Sequence, residues 1–155
     1  MATGIKYPAC QAVMNRAYDL WQKYPDWTYS EFIDELSPAD RSVVLIGNLN
    51  YQVENGGFSQ WLTNGYGECV RELARALDAI GAVRVAEMVY AAVSAWQVYQ
   101  DQRRRARLWW SDDNDDDDDS LDFEAMDAEY YRGLGETLMQ TLETAVAERE
   151  RSTTR

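Results

Sequence analysis

Between Asp112 and Glu129 the chain carries eleven carboxylates and no basic residue. No packed interior tolerates such a run without paired cations. Five consecutive aspartates, Asp115 to Asp119, stand at its centre. Aspartate is a weak helix former, and like charges at helical spacing repel, so residues 111–120 are expected to form an acidic loop. The loop divides a long stretch of chain from a shorter one. It also holds nearly all the charge imbalance. The chain has 27 Asp+Glu against 15 Lys+Arg, net −12; without these eleven, 16 acids face 15 bases. At physiological salt the Debye length is about 8 Å, too long to screen adjacent carboxylates from one another. Charge that works against local packing points to a cationic partner outside the chain.

Outside the acidic run, apolar residues recur every three or four positions. Pro8 suits a first helical position, and Val13, Ala17, Leu20, Trp21 and Tyr24 follow at helical spacing until Pro25. Thr28 with Glu31 reads as a capping box for a short helix through Leu36. Ser37-Pro38 restarts the chain into a helix that runs to Val53, where Asn55-Gly56-Gly57 stops it. Phe58 to Thr63 is expected to form one or two separate turns. Helices are then expected over Glu68–Ile80, closed by Gly81, and over Val83 to about Trp110. The latter ends in Arg103, Arg104, Arg105 and Arg107, which favour a helix C-terminus. Ser120 is a candidate cap for a helical region over Leu121–Arg132. Beyond Gly133 and Gly135 a final helix carries Leu138, Leu142 and Val146. No stretch alternates in the manner of a half-buried strand. The expectation is an all-α bundle of about seven or eight helices, a single domain over 1–155 with the acidic loop inside it.

Composition removes several function classes. With 155 residues and no histidine, the chain has no imidazole base or ligand, so Ser-His and Cys-His catalysis are excluded. No carboxylate pair sits in an identifiable apolar pocket that would separate their pKa values. The reading is a non-enzyme without cofactor or metal. A pI near 4.3 disfavours direct binding to nucleic acid or anionic lipid. The most apolar stretch, Met88 to Val98, is too short to span a bilayer, and no signal peptide is visible. Cys10 and Cys69 read as buried reduced thiols of a cytoplasmic protein.

Four readings of the acidic run compete. In an extended chain, same-side carboxylates lie about 6.6 Å apart, twice the rise per residue. DNA carries roughly one phosphate per 3.4 Å of axis on each strand, so an aspartate run can offer a basic groove the charge array it holds in DNA. The alternative is a solvated insert without a partner. The calcium reading takes Asp113, Asp115, Asp117, Asp119 and Glu124 as positions one, three, five, seven and twelve of an EF-hand-like loop. Position six, which needs glycine, is Asp118, and position eight, normally apolar, is Ser120. The arginines just before the run could also pair with it, or with that of a second copy, which leaves homo-oligomerisation open. Trp109 and Trp110, between the two charge blocks, suit either a core collar or interface anchors.

The second distinctive segment is Gln52-Val53-Glu54-Asn55-Gly56-Gly57-Phe58-Ser59-Gln60-Trp61, followed by Asn64. Paired glycines permit a sharp reversal, Phe58 and Trp61 are expected to pack inward, and Asn55, Gln60 and Asn64 to tie off helix ends. Val53, Asn55, Gly56, Gly57, Phe58, Gln60, Trp61 and Asn64 together resemble the signature of the bacterial DNA mimic protein nineteen family. Ala79-Ile80-Gly81-Ala82 and Met126-Asp127-Ala128-Glu129-Tyr130-Tyr131 resemble further family segments, so the likeness runs from about residue 30 to 147. The resemblance implies an all-helical fold and mimicry of DNA that blocks the DNA site of a regulator. The consecutive aspartates depart from the family pattern, in which charge is spread over a folded surface.

The resulting expectation is an acidic binding protein that occupies the nucleic-acid site of a basic partner, such as a transcription regulator, a nucleoid protein or a defence nuclease. In that reading Asp112, Asp113, Asp115, Asp116, Asp117, Asp118, Asp119, Asp122, Glu124, Asp127 and Glu129 stand in for phosphates, with Trp109 and Trp110 beside them. The alternative is a structural or immunity-type adaptor that uses its helical body.

Overall fold

Local signals set most helix starts in the computed structural model, which describes residues 5–109 and 121–155. Pro8 opens α1 (Pro8–Lys23) at its first position. The Thr28–Glu31 capping box is formed in both directions, the Glu31 N–H donating to Thr28 Oγ1 at 3.2 Å and the Thr28 N–H to Glu31 Oε2 at 2.7 Å. It starts α2 (Tyr29–Glu35). Ser37 Oγ accepts from the Asp40 N–H at 3.2 Å and starts α3 (Pro38–Thr63). A 3-10 turn over Tyr66–Cys69 leads into α4 (Val70–Ala79), and α5 covers Val83–Trp109. After the acidic run come α6 (Glu124–Glu129), a π turn over Tyr130–Leu134, and α7 (Gly135–Thr153). The described residues contain no strand, and the fold class is all-α.

The helix count differs from the sequence expectation. Six continuous helical runs are present among the described residues, because two glycine signals bend helices instead of ending them. At Gly56–Gly57 the axis of α3 kinks while helical hydrogen bonding resumes at once. At Gly133 the chain passes through the π turn into α7. The last helical region also starts at Glu124, not Leu121, with Asp122 Oδ1 accepting from the Glu124 N–H at 2.8 Å. Ser120 lies outside the described residues.

Helix α3 is the hub. Val43, Val44, Leu45 and Ile46 are all buried, so this turn of it is covered on every side. The α4–α5 pair packs on it, as do α1 and α7, which also contact each other. Trp61, Phe58 and Tyr130 are the largest fully buried side chains, and each contributes roughly 1.5–3 kcal/mol by burial. Both cysteines are buried and free. Burial pushes the Cys69 thiol up to about 11 and, with the neighbouring Glu143 carboxylate adding to it, Cys10 up to about 12. Among the described residues no helix is long and apolar enough to cross a membrane.

Helix α5 has two unlike halves. Val85, Ala86, Met88, Val89, Ala92 and Val93 are buried, chiefly where α5 meets α4. From Gln97 to Leu108 no residue is buried. That second half extends about 18 Å at 1.5 Å per residue.

Candidate functional site

The glycine pair in α3 makes a corner to which three other parts of the chain are tied. Gly57 has φ +72, a conformation that side chains rarely adopt, and a Cβ there would overlap the Asp127 carboxylate. With that space empty, Asp127 Oδ1 comes within 2.8 Å of the Phe58 N–H and accepts from it. Asp127 therefore acts as a cap, supplied from α6, for the second part of α3. Burial raises its carboxyl above the usual range, with the Phe58 hydrogen bond opposing and the Asp122 charge assisting.

Inside the bend, the buried Gln52 gathers the side chains beyond it. Its Oε1 accepts from Gln60 Nε2 at 2.9 Å and from Asn64 Nδ2 at 2.8 Å. Asn55 is exposed, and its side chain makes no hydrogen bond among the described residues. Phe58 stands edge-on to Trp61 and to Tyr130, at ring separations of 6.4 and 5.9 Å. The Tyr130 hydroxyl donates to Asn50 Oδ1 at 2.7 Å, and the Tyr131 hydroxyl donates to the Val53 carbonyl. Gly135 lets the Tyr130 ring lie against the backbone, since a Cβ at that position would meet the ring. At the far end of α6, Glu129 accepts two bonds from the Arg84 guanidinium of α5, at 2.7 and 2.8 Å. That pairing holds the Glu129 carboxyl below its ordinary value.

The candidate acids thus differ in situation. Asp122 and Glu124 are exposed. Together with Ser59, Leu121, Phe123, Asp127, Ala128 and Tyr131 they line an open groove beside the corner. Asp127 and Glu129 are already engaged within the chain. Asp112, Asp113, Asp115, Asp116, Asp117, Asp118 and Asp119 lie outside the described residues, as does Trp110; so does most of the EF-hand-like pattern. Trp109 closes α5. Among the described residues no group of three or more His, Cys, Asp or Glu side chains is arranged to hold a metal ion.

Sequence reasoning missed the roles of Gln52, Arg84 and Glu143. Glu143 of α7 accepts from the Ala9 N–H at 2.8 Å and the Cys10 N–H at 2.9 Å, capping α1 from across the fold. Burial raises the Glu143 pKa, but the bonds from Cys10 and Ala9 outweigh it and the net shift is downward. No local pattern announces such partners. The kink, which brings Gln52, Gln60 and Asn64 to one point, is the only signal the sequence offers. No curated protein and no solved structure matches the chain. A family model described as DMP19-like protein matches residues 34–149, from the end of α2 through the corner and α6 into α7, and the chain belongs to that family.

Proposed function

We propose that this protein is a non-enzymatic DNA-mimic-type binding protein that occupies the nucleic-acid site of a basic cytoplasmic partner and excludes DNA or RNA from it. Family membership is consistent with a DNA-mimic role in general. The observation that carries the reading is the segregation of charge, with eleven acids and no base in 112–129 against a near-neutral remainder. Asp112, Asp113 and Asp115 to Asp119 supply the phosphate-like row, and the exposed Asp122 and Glu124 extend it onto the folded body. Asp127 adds to the field from its place at the corner, and Glu129 adds less because Arg84 balances it. Trp109 and Trp110 provide apolar anchorage at the start of the row. Binding of this kind is fast and strongly salt-dependent.

The test is capture of proteins from a bacterial lysate at low salt, followed by elution in a salt gradient. Replacing Asp115 to Asp119 together by Asn should weaken capture of the partner by orders of magnitude. Undiminished capture overturns the reading. It would favour a second one, an adaptor that uses its helical body, for which the exposed rings of Tyr18, Tyr51 and Tyr90 offer contact surface. Under that second reading, deletion of residues 112–120 leaves the interaction intact.

A further inference from the structure

The outer half of α5 carries a pattern that is complementary to itself. Val98, Asp101, Arg105 and Leu108 are spaced three, four and three residues apart. At about 100° per residue, these four fall within an arc of roughly 80° on one side of the helix. Val98 is 57% and Leu108 80% exposed. Asp101 is 62% exposed on its side chain and, among the described residues, its one ion-pair contact is to Arg104 at 3.8 Å. Arg105 is exposed and has no ion pair among the described residues. Arg104 borders the stripe and reaches Asp101, whereas Arg103 lies over the Tyr99 ring, at 5.7 Å from its centroid, on a different flank.

Laid antiparallel against a copy of itself, with a two-fold axis passing residue 103, this stripe matches at every layer. Val98 meets Leu108 of the second copy, and Asp101 meets its Arg105. The two-fold then repeats both pairs. This is the isologous arrangement that a symmetric dimer requires, and the spacing is that of alternating a and d positions in an antiparallel helix pair.

We infer that the outer half of α5 is a homodimerisation surface, and that two copies of this chain associate through antiparallel contact of Val98, Asp101, Arg105 and Leu108. The inference stands apart from the proposed DNA mimicry, since it uses a different surface and a different partner. The area available on such an arm is below that of a standard interface, so the dimer forms at micromolar concentrations or above.

Sedimentation equilibrium of the full chain over about 5–500 µM tests it. The wild type should pass from a 17.8 kDa species to twice that mass as concentration rises. Asp101→Arg alone places like charges opposite each other, as does Arg105→Asp alone, and each should weaken association by about tenfold or more. An equimolar mixture of these two single variants restores opposite charges across the contact, so it should dimerise where neither variant does. The double variant Asp101→Arg/Arg105→Asp should also self-associate. Both substituted positions are exposed, and circular dichroism of each variant checks that the helices persist. A monomer at every concentration overturns the inference. So does a dimer that neither single variant weakens, or variants whose mixture stays monomeric.

Discussion

The α3 corner and the outer half of α5 invert the usual relation between helix-forming sequence and a fixed helix. The corner contains two consecutive glycines, the poorest helix formers after proline, yet Asp127, Tyr131 and Gln52 all hold it from other positions in the chain. The arm consists largely of Gln, Arg, Ala and Leu, which favour helix, yet it buries none of them. Propensity alone is enough to write a helix. Long-range contacts decide which part of it has a unique position, and in this molecule those contacts gather where propensity is lowest.

The comparison breaks if the corner proves soft. Gly57→Ala forces a side chain into φ +72 and against the Asp127 carboxylate, and is expected to cost about 3 kcal/mol or more in urea denaturation. A change under about 1 kcal/mol would mean that the corner is not a fixed point. Asp127→Ala leaves the Phe58 N–H without its acceptor and should cost about 2 kcal/mol, whereas Asp127→Asn, whose amide oxygen still accepts, should cost less than half as much, about 1 kcal/mol or under.

Acid titration sharpens the contrast by sign. Glu143 has a lowered folded pKa, so its contribution is present above the ordinary glutamate value of 4.5 and is lost as pH falls through the folded value. Asp127, raised mainly by burial, works in the opposite sense: its protonation favours the folded state as pH falls. Denaturation midpoints measured from about pH 6 to about pH 3 should therefore decline less steeply in Glu143→Gln and more steeply in Asp127→Asn. The smallest effect belongs to the arm. Ala106→Gly should weaken the local helix by about 1 kcal/mol and speed amide exchange over 100–108, while the global midpoint stays within about 0.3 kcal/mol of the parent at dilute, monomeric concentrations.

Helix starts were legible wherever the sequence supplies its own cap. Pro8, the Thr28–Glu31 box and Ser37-Pro38 each act within a few residues, and each is found as read. Gly81 closes α4 as read, but the ends marked at Gly56–Gly57 and Gly133 were overread. A glycine at positive φ bends the chain, but whether the helix resumes depends on what receives the freed groups, and at Phe58 that receiver is Asp127 of α6. The same limit applies to the candidate site. Composition shows where charge is concentrated, but nothing in it separates Asp122 and Glu124, which face solvent, from Asp127 and Glu129, which are bound to Phe58 and Arg84. Those pairings depend on how α6 docks against α3 and α5, and docking is a tertiary property.

The hydrogen bond between Phe58 and Asp127 joins positions 69 residues apart, which gives the corner a history during synthesis. A ribosome adding about 5–20 residues per second needs some 3–14 s to travel from one to the other. Throughout that interval the Phe58 amide lacks its acceptor, and Phe58 and Trp61 lack the cover that Tyr130 gives Phe58 in the finished protein. Nascent chains halted before Asp127 should be the ones that chaperones retain, and release should coincide with emergence of the segment that contains it.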